Sequence, residues 1–143
     1  MNGNVELLNY IYQNSQMGVE TIEHILDIVK EERFKTHLQL ELKEYKDINK
    51  AAQNMLNRHN YDEKGIGTLN KITTYLMINF KTLMDKSTSH IAEMMIIGSN
   101  MGIIEAIKNI KKYDNDAEKD ILELMKRLLE FAEENVKQLK KFL

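Results

Sequence analysis

The sequence of 143 residues contains no cysteine, no proline and no tryptophan. The lack of cysteine excludes disulfides, thiolate zinc sites, iron–sulfur clusters and cysteine nucleophiles. The lack of proline favours long uninterrupted helices, because proline removes a helical hydrogen bond and clashes with the preceding turn. A charge imbalance is also missing, since 20 Lys and Arg stand against 22 Asp and Glu. These charges are interspersed, so nothing indicates a nucleic-acid partner or an anionic membrane surface.

Long apolar runs are also missing. The first ten residues, MNGNVELLNY, have no basic segment followed by an apolar one, so we expect no secretory signal. The longest uncharged run within the most apolar stretch is Met94 to Ile104. A helix of that length covers only about half of a bilayer core. We therefore expect a cytoplasmic protein without a membrane span.

What the chain does have is apolar residues at steps of three and four along nearly its whole length. This spacing predicts an all-α fold, and the length fits a single domain over residues 1–143. The predicted helices are four long ones and a shorter one between the second and third of them, at 4–30, 33–57, 69–85, 88–113 and 117–143.

The links between these helices predict a topology. Short links join the first two long helices and the last two, so each pair should form an antiparallel hairpin. About 30 residues connect the two hairpins and include the shorter helix, which is enough to cross the length of a bundle. The second and third long helices can then lie parallel. Hydroxyls in DKSTS predict an N-cap for the third long helix, and Asn115 with Glu118 predicts a capping box for the fourth.

This order of hairpin, crossover helix and hairpin resembles the ferritin-like superfamily. More narrowly, it resembles a rubrerythrin-related bacterial branch of four-helix bundles of unknown function. The stretches that carry the likeness are LLNYIYQNSQMGVETIEHIL, FKTHLQLELKEYKDINKAAQ, IIGSNMGIIEAI and LLEFAEENVKQL, one in each long helix. In iron-binding members, the first and third helices each supply a glutamate, and the second and fourth each supply Glu-x-x-His, which together hold two metals.

The expected ligand positions are mostly neutral in this chain. No Glu-x-x-His occurs anywhere in the sequence. Ser15 lies in the middle of the first apolar stripe, Ser99 follows Gly98 where the family often has a glutamate, and Asn135 is the central inward polar residue of the last helix. Neutral side chains balance two divalent cations poorly. The resemblance therefore predicts a degenerate site with no cofactor, the alternative being iron or another divalent metal.

Glu41 is the main candidate for a remaining ligand. It continues the apolar row of the second helix, and His37 lies one turn before it. The pair is either part of an atypical metal site or an ordinary one. In the ordinary case Glu41 bonds to Tyr12, Tyr45 or Tyr75, or lies nearer the surface than its row suggests.

Glu105 is the third candidate ligand, since it continues the row of Met94, Gly98 and Met101. It either faces the core, or it forms an ion pair between helices or lies at a solvated edge. In the same stretch, EMMIIGSNMGIIEAI, a row of small residues lets a neighbouring helix approach closely: Ala92, Ser99, Gly102 and Ala106. This row predicts that the third long helix is the most enclosed of the four.

The functional expectation is a non-catalytic helical bundle with a structural or protein-interaction role. We expect it to form a homodimer through a helix face or to bind a protein partner, and not to bind nucleic acid. The alternative is a metal-binding, di-iron-type oxidoreductase or iron-handling protein that uses Glu41, His37 and Glu105. The neutral residues at the expected ligand positions favour the first of these.

Overall fold

A computed structural model of the protein describes residues 3–61, 70–81 and 83–143. Regular structure in these ranges is helical throughout, which confirms the predicted all-α class. The α-helices are α1 (Gly3–Leu26), α2 (Glu32–Arg58), α3 (Asn70–Lys81), α4 (Thr88–Tyr113) and α5 (Lys119–Leu139), and a 3-10 turn (Lys140–Phe142) follows α5. Within the described ranges, no helix combines the length and apolar character needed to cross a bilayer.

The first helix is shorter than predicted. It was expected to continue to residue 30 but ends at Leu26. The backbone N–H groups of Ile28 and Val29 both donate to the carbonyl of Ile25, which closes the last turn. Val29 remains buried after this turn, while Lys30 and Glu31 are exposed. The helix thus ends in a turn that leaves the side chain of Val29 buried before α2 begins.

The crossover helix also ends earlier than the predicted 69–85. Residues 69 and 82 lie outside the described ranges, and residues 83–87 are not helical. The backbone N–H of Ser87 donates to Asp85 Oδ1 at 2.9 Å, and Ser87 Oγ accepts from the N–H of His90 at 3.2 Å. This polar turn caps α4, which confirms the predicted hydroxyl cap. Met84, which lies within the predicted helix span of 69–85, is almost fully exposed.

The capping box predicted for the last helix is wrong. That helix was expected to run from 117 to 143, but α5 begins at Lys119 after an N-cap residue, Glu118, which makes no side-chain cap bond. The backbone N–H of Glu118 instead donates to Asn4 Oδ1 at 2.8 Å, a contact between distant parts of the chain that local spacing does not show.

Contacts at the two ends of the bundle define the helix directions. The Asn4–Glu118 bond brings the start of α1 to the start of α5. Arg58, in the last turn of α2, lies 3.9 Å from Asp120 in the first turn of α5. At the other end, the rings of Phe34 in α2 and Phe142 after α5 are 4.9 Å apart. Because the link from α4 to α5 is short, α2 and α4 both finish at the end where α1 and α5 begin.

The helices form a bundle in which α2 and α4 occupy opposite corners, since α1 and α5 each contact both of them. The crossover helix α3 packs on α4. The small residues Ala92, Gly102 and Ala106 of α4 are buried, as the row predicted.

The prediction that this helix is the most enclosed is wrong. Ile97, Ile104 and Ile107 of α4 are exposed. A row of small residues lets neighbouring helices approach on one side of a helix only. A helix at a corner of the bundle also has an outer side, and the small residues do not increase burial there.

Candidate functional site: a central cavity with one carboxylate

A partly open cavity of about 50 Å³ lies between the helices of the bundle, and α1 to α5 all contribute to its wall. Most of the wall is apolar. The polar side chains that line it are those of Asn14, Thr21, Glu41, Tyr45 and Ser99. Since about 10–15 Å³ of such space is enough to hold one water, the cavity suits a few waters or a very small ligand.

Two glycines in the cavity wall bring helices unusually close together. A Cβ at Gly18 of α1 would lie 2.7 Å from ring atoms of Tyr45 in α2. A Cβ at Gly98 of α4 would lie 3.0 Å from Cδ2 of Leu76 in α3. The ring of Tyr45 is also held from behind by an edge-on contact with Phe131, with centroids 4.9 Å apart. These contacts determine where the Tyr45 ring and the crossover helix border the cavity.

Among the described residues that line the cavity, Glu41 is the single acidic side chain. It lies in the apolar row of α2 with Phe34, Leu38, Tyr45 and Ile48, and it is only 3% exposed. The interpretation that this position lies nearer the surface is therefore wrong. The row is buried because these steps of three and four keep all its members on the face that α2 turns toward α1 and α5.

The neighbour of Glu41 is His37, one turn earlier. Its Nε2 atom is 3.5 Å from Glu41 Oε2, and in the described part of the chain neither atom makes a hydrogen bond. The structure therefore places His37 beside Glu41, and no tyrosine of the described residues donates a hydrogen bond to Glu41 Oε2. Both atoms are fully enclosed by protein, so the pair carries unsatisfied hydrogen-bonding capacity in the interior.

Burial raises the pKa of Glu41 above its ordinary value of 4.5, because a charged carboxylate is poorly solvated in the interior. The neighbouring His37 lowers this pKa, but by less. Burial also raises the pKa of Tyr45, and the negative charge of Glu41 raises it further. These directions favour a neutral, protonated carboxyl group beside a neutral phenol.

His37 also borders a second, open space. A groove of about 520 Å³ runs along the start of α2 and the end of the chain. Its wall includes His37, Arg33, Leu40, Lys141 and Phe142. The His37 side chain is 16% exposed, and its ring lies 5.7 Å from that of Phe142. The His37–Glu41 pair thus lies between the open groove and the central cavity.

Ser15, one of the neutral residues at the ligand positions, is fully buried and is already engaged in hydrogen bonds. Its Oγ donates to the carbonyl of Ile11 at 2.7 Å and accepts from Asn49 Nδ2 at 3.0 Å. Asn135 is 5% exposed, and its Nδ2 has no hydrogen-bond partner in the described ranges. Ser99 is half-buried in the cavity wall.

Glu105 is not brought to the other two candidates. It is half-buried on α4, and its charge is felt by Tyr10, whose pKa is raised mainly by burial and further by Glu105. Across the part of the chain that the structure describes, no three His, Asp or Glu side chains are grouped so that they could hold a metal ion. Of the three candidates, the structure brings together only His37 and Glu41.

Three hydrogen bonds between helices of the bundle were not predicted from the sequence. Tyr10 Oη donates to the carbonyl of Gly102 at 2.8 Å and so ties α1 to α4. Asn49 Nδ2 donates to the Tyr12 carbonyl at 3.1 Å as well as to Ser15 and so ties α2 to α1. The local signal for Asn49 was its place one residue after the inward-facing Ile48, but its partner is 34 residues away.

No family model, curated protein or solved structure matches the chain. The chemistry of the cavity must therefore be argued from its own side chains. One buried acid, one imidazole and one phenol can exchange a proton or hold a small polar molecule. They do not supply the four carboxylates and two histidines of a dimetal centre.

Proposed function

We propose that the protein is a ferritin-like four-helix bundle, of the rubrerythrin-related bacterial kind, whose dimetal site is degenerate. In this proposal it acts in the cytoplasm as a structural or protein-interaction component and catalyses no reaction. The fold support is the arrangement of two antiparallel hairpins, with α2 and α4 pointing the same way and α3 in the connection between them.

The observation that carries the proposal is that the described residues of the cavity wall include a single carboxylate, Glu41. Two divalent cations carry four positive charges, and in the bundles that hold them four inward-facing glutamates compensate these charges. Here the wall has Glu41, while the neighbouring polar groups Ser99, Asn14 and Tyr45 are neutral. The residues present do not fit a dimetal centre, because most of that charge would remain uncompensated in an apolar interior.

The test is metal content. Purified protein is loaded anaerobically with excess iron(II), desalted and analysed by mass spectrometry for iron and other transition metals. The expected content is well below one metal per chain. About two metals per chain, lost in Glu41→Ala and kept in Glu130→Ala, would overturn the proposal. Glu130 is a suitable control because it is an exposed glutamate of α5.

A second candidate is a metal-binding protein with an atypical site, supported by one specific observation. His37 Nε2 and Glu41 Oε2 face each other at 3.5 Å without hydrogen bonds from the described residues. An imidazole and a carboxylate are ligands for iron, zinc and related divalent metals. This candidate would use His37 and Glu41 only, since Glu105 lies apart.

The same loading experiment separates the two candidates. About one metal per chain, abolished equally by His37→Ala and Glu41→Ala, would favour the atypical site and contradict the first proposal. Retention of that metal in both variants would place it elsewhere on the chain and would contradict the second candidate. A circular dichroism spectrum and melt for each variant establish that metal loss does not come from unfolding.

A further inference from the structure

The outer side of α4 carries a stripe of exposed residues with the spacing of a coiled-coil seam. Its members follow one another at steps of four, three, four, three and four, and each one is exposed: Glu93, Ile97, Asn100, Ile104, Ile107 and Lys111. Alternating steps of three and four keep the a and d positions of a heptad on one face. We call this set the α4 seam.

The α4 seam lies on the opposite side of the helix from the central cavity. At about 100° per residue, the mean direction of the seam lies roughly 180° around α4 from that of Gly98, Gly102 and Ala106. Those three residues border the cavity. The helices packed against α4, namely α1, α3 and α5, therefore leave the seam uncovered within the described residues.

The apolar content of the seam is unusual for an outer surface. Ile97, Ile104 and Ile107 are 42%, 54% and 38% exposed. Three of the large exposed apolar side chains of the described residues thus lie in one line on one helix. Single scattered exposed apolar residues are common on proteins, whereas several grouped on one face are typical of a contact surface.

We propose that the α4 seam binds the same seam of a second copy of this chain, with the two helices antiparallel about a two-fold axis near Gly102. The inference rests on the interaction role proposed above and names its partner. In this register each seam residue faces another seam residue. Glu93 faces the partner's Lys111, Ile97 faces the partner's Ile107, and Asn100 faces the partner's Ile104.

The charges at the two ends of the seam favour a second copy of this chain as the partner and an antiparallel orientation of the two α4 helices. The seam has an acidic end, at Glu93, and a basic end, at Lys111. An antiparallel pair therefore places opposite charges together at both ends, while a parallel pair would place Glu93 against Glu93 and Lys111 against Lys111. A two-fold axis makes the surface complementary to itself, which is what a closed homodimer requires.

The length of the seam and its central polar residue indicate a dimer of moderate affinity. Lys111 lies 18 positions after Glu93, which corresponds to about 27 Å of helix. Between the two charged ends the seam has four layers of facing residues. Two layers pair Ile97 with Ile107, and two pair Asn100 with Ile104. An amide at a seam position lowers stability but disfavours registers that would bury it against more apolar neighbours.

The first experiment measures mass in solution. Light scattering during gel filtration should give the native protein, loaded at about 100 μM, twice the 16.8 kDa of one chain. Ile104→Glu should raise the dissociation constant about a hundredfold or more, because two buried layers each acquire a charge. Leu40→Glu is the matched control, since Leu40 is 66% exposed on the opposite corner helix, and it should leave the dimer intact.

The second experiment tests the direction, and the lack of cysteine in the chain makes it simple. After mild oxidation, the double variant Ile97→Cys/Ile107→Cys should run at twice the monomer mass on a non-reducing gel. Neither single variant should do so, because residue 97 faces residue 107 of the partner and not itself. Crosslinking of the Ile97→Cys variant alone would indicate a parallel pair and would overturn the proposed register.

A native chain that is monomeric at 100 μM, or a dimer that Ile104→Glu does not weaken, would overturn the inference as a whole. Reversal of one end charge, Glu93→Lys, should weaken the dimer, and Glu93→Lys/Lys111→Glu should restore it. Loss without restoration would also contradict the antiparallel register. None of these results depends on metal content, so this inference and the proposed function fail by different observations.

Discussion

Replacing Glu41 by leucine is expected to stabilise the bundle at neutral pH, although it removes a buried polar group. The carboxyl group is 3% exposed, and its Oε2 atom has no hydrogen-bond partner in the described residues. A buried polar atom without a partner costs about 1–3 kcal/mol. Leucine has nearly the same volume as glutamate, so the substitution opens no new cavity beside the existing one of about 50 Å³.

The substitution Glu41→Leu removes few favourable interactions. The attraction between Glu41 and His37 acts over 3.5 Å without a hydrogen bond, and His37 already lacks a partner at Nε2 among the described residues. The net gain in the free energy of unfolding for Glu41→Leu should therefore be about 1–3 kcal/mol at pH 7. In urea this corresponds to a rise of the midpoint by about 0.5–1.5 M at the slope usual for a protein of this size.

The gain should depend on pH in a defined direction. In the unfolded chain the carboxyl group titrates near its ordinary pKa of 4.5, and in the folded chain burial raises the pKa. Between these two values the folded state binds more protons than the unfolded state, so the unfolding free energy of the native protein falls as pH rises. The contribution of the neutral carboxyl group to the free energy of unfolding is thus fully present below pH 4.5. It is lost as the pH rises through the raised pKa of the folded state. The advantage of Glu41→Leu should be smallest near pH 4 and larger at pH 7.

The assay is urea unfolding followed by circular dichroism at pH 4, 5.5 and 7 for the native protein, Glu41→Leu and Glu130→Leu. The exposed control Glu130→Leu should change the free energy by less than about 0.5 kcal/mol at every pH. If Glu41→Leu destabilises the protein by more than about 1 kcal/mol at pH 7, the carboxylate has a compensating partner, and the reasoning is refuted.

Three further variants test contacts between helices, two of them at glycines of the cavity wall. Gly18→Ala should destabilise the protein by about 1 kcal/mol, because the new Cβ meets the rigid ring of Tyr45 at 2.7 Å and the overpacking exceeds the gain in helix propensity. Gly98→Ala should be neutral or stabilising, because its Cβ meets the movable end of Leu76 at 3.0 Å; equal effects of the two variants in thermal melts would contradict this comparison. Tyr10→Phe should cost about 0.5–1.5 kcal/mol by removing the 2.8 Å bond to the α4 carbonyl, and an unchanged melting temperature would mean that this bond contributes nothing.

Secondary structure followed largely from local pattern. Apolar spacing predicts the helices, and the hydroxyl residues before an apolar-periodic run predict the cap that Ser87 forms. The errors lie at helix ends. At Leu26 the end depends on burying Val29, and at Glu118 it depends on a bond to Asn4, so both are decided by distant packing.

The candidate site was partly visible in the sequence. The row of α2 predicted that Glu41 faces inward, and the spacing of four residues placed His37 beside it. The position of Glu105 could not be predicted in the same way. Its row on α4 lies at the edge of the buried face, so small rotations of the helix decide whether a side chain there faces the core or a neighbour such as Tyr10.

The sequence by itself determined the all-α class, the approximate helices, the absence of sulfur ligands and the shortage of acidic residues at inward positions. These are properties of residue type and local spacing. The tertiary structure alone decided that Glu41 borders a cavity without a hydrogen-bond partner for Oε2 in the described ranges, and that one side of α4 remains exposed. Both depend on which helix lies next to which, because burial is produced by neighbours that are distant in the sequence.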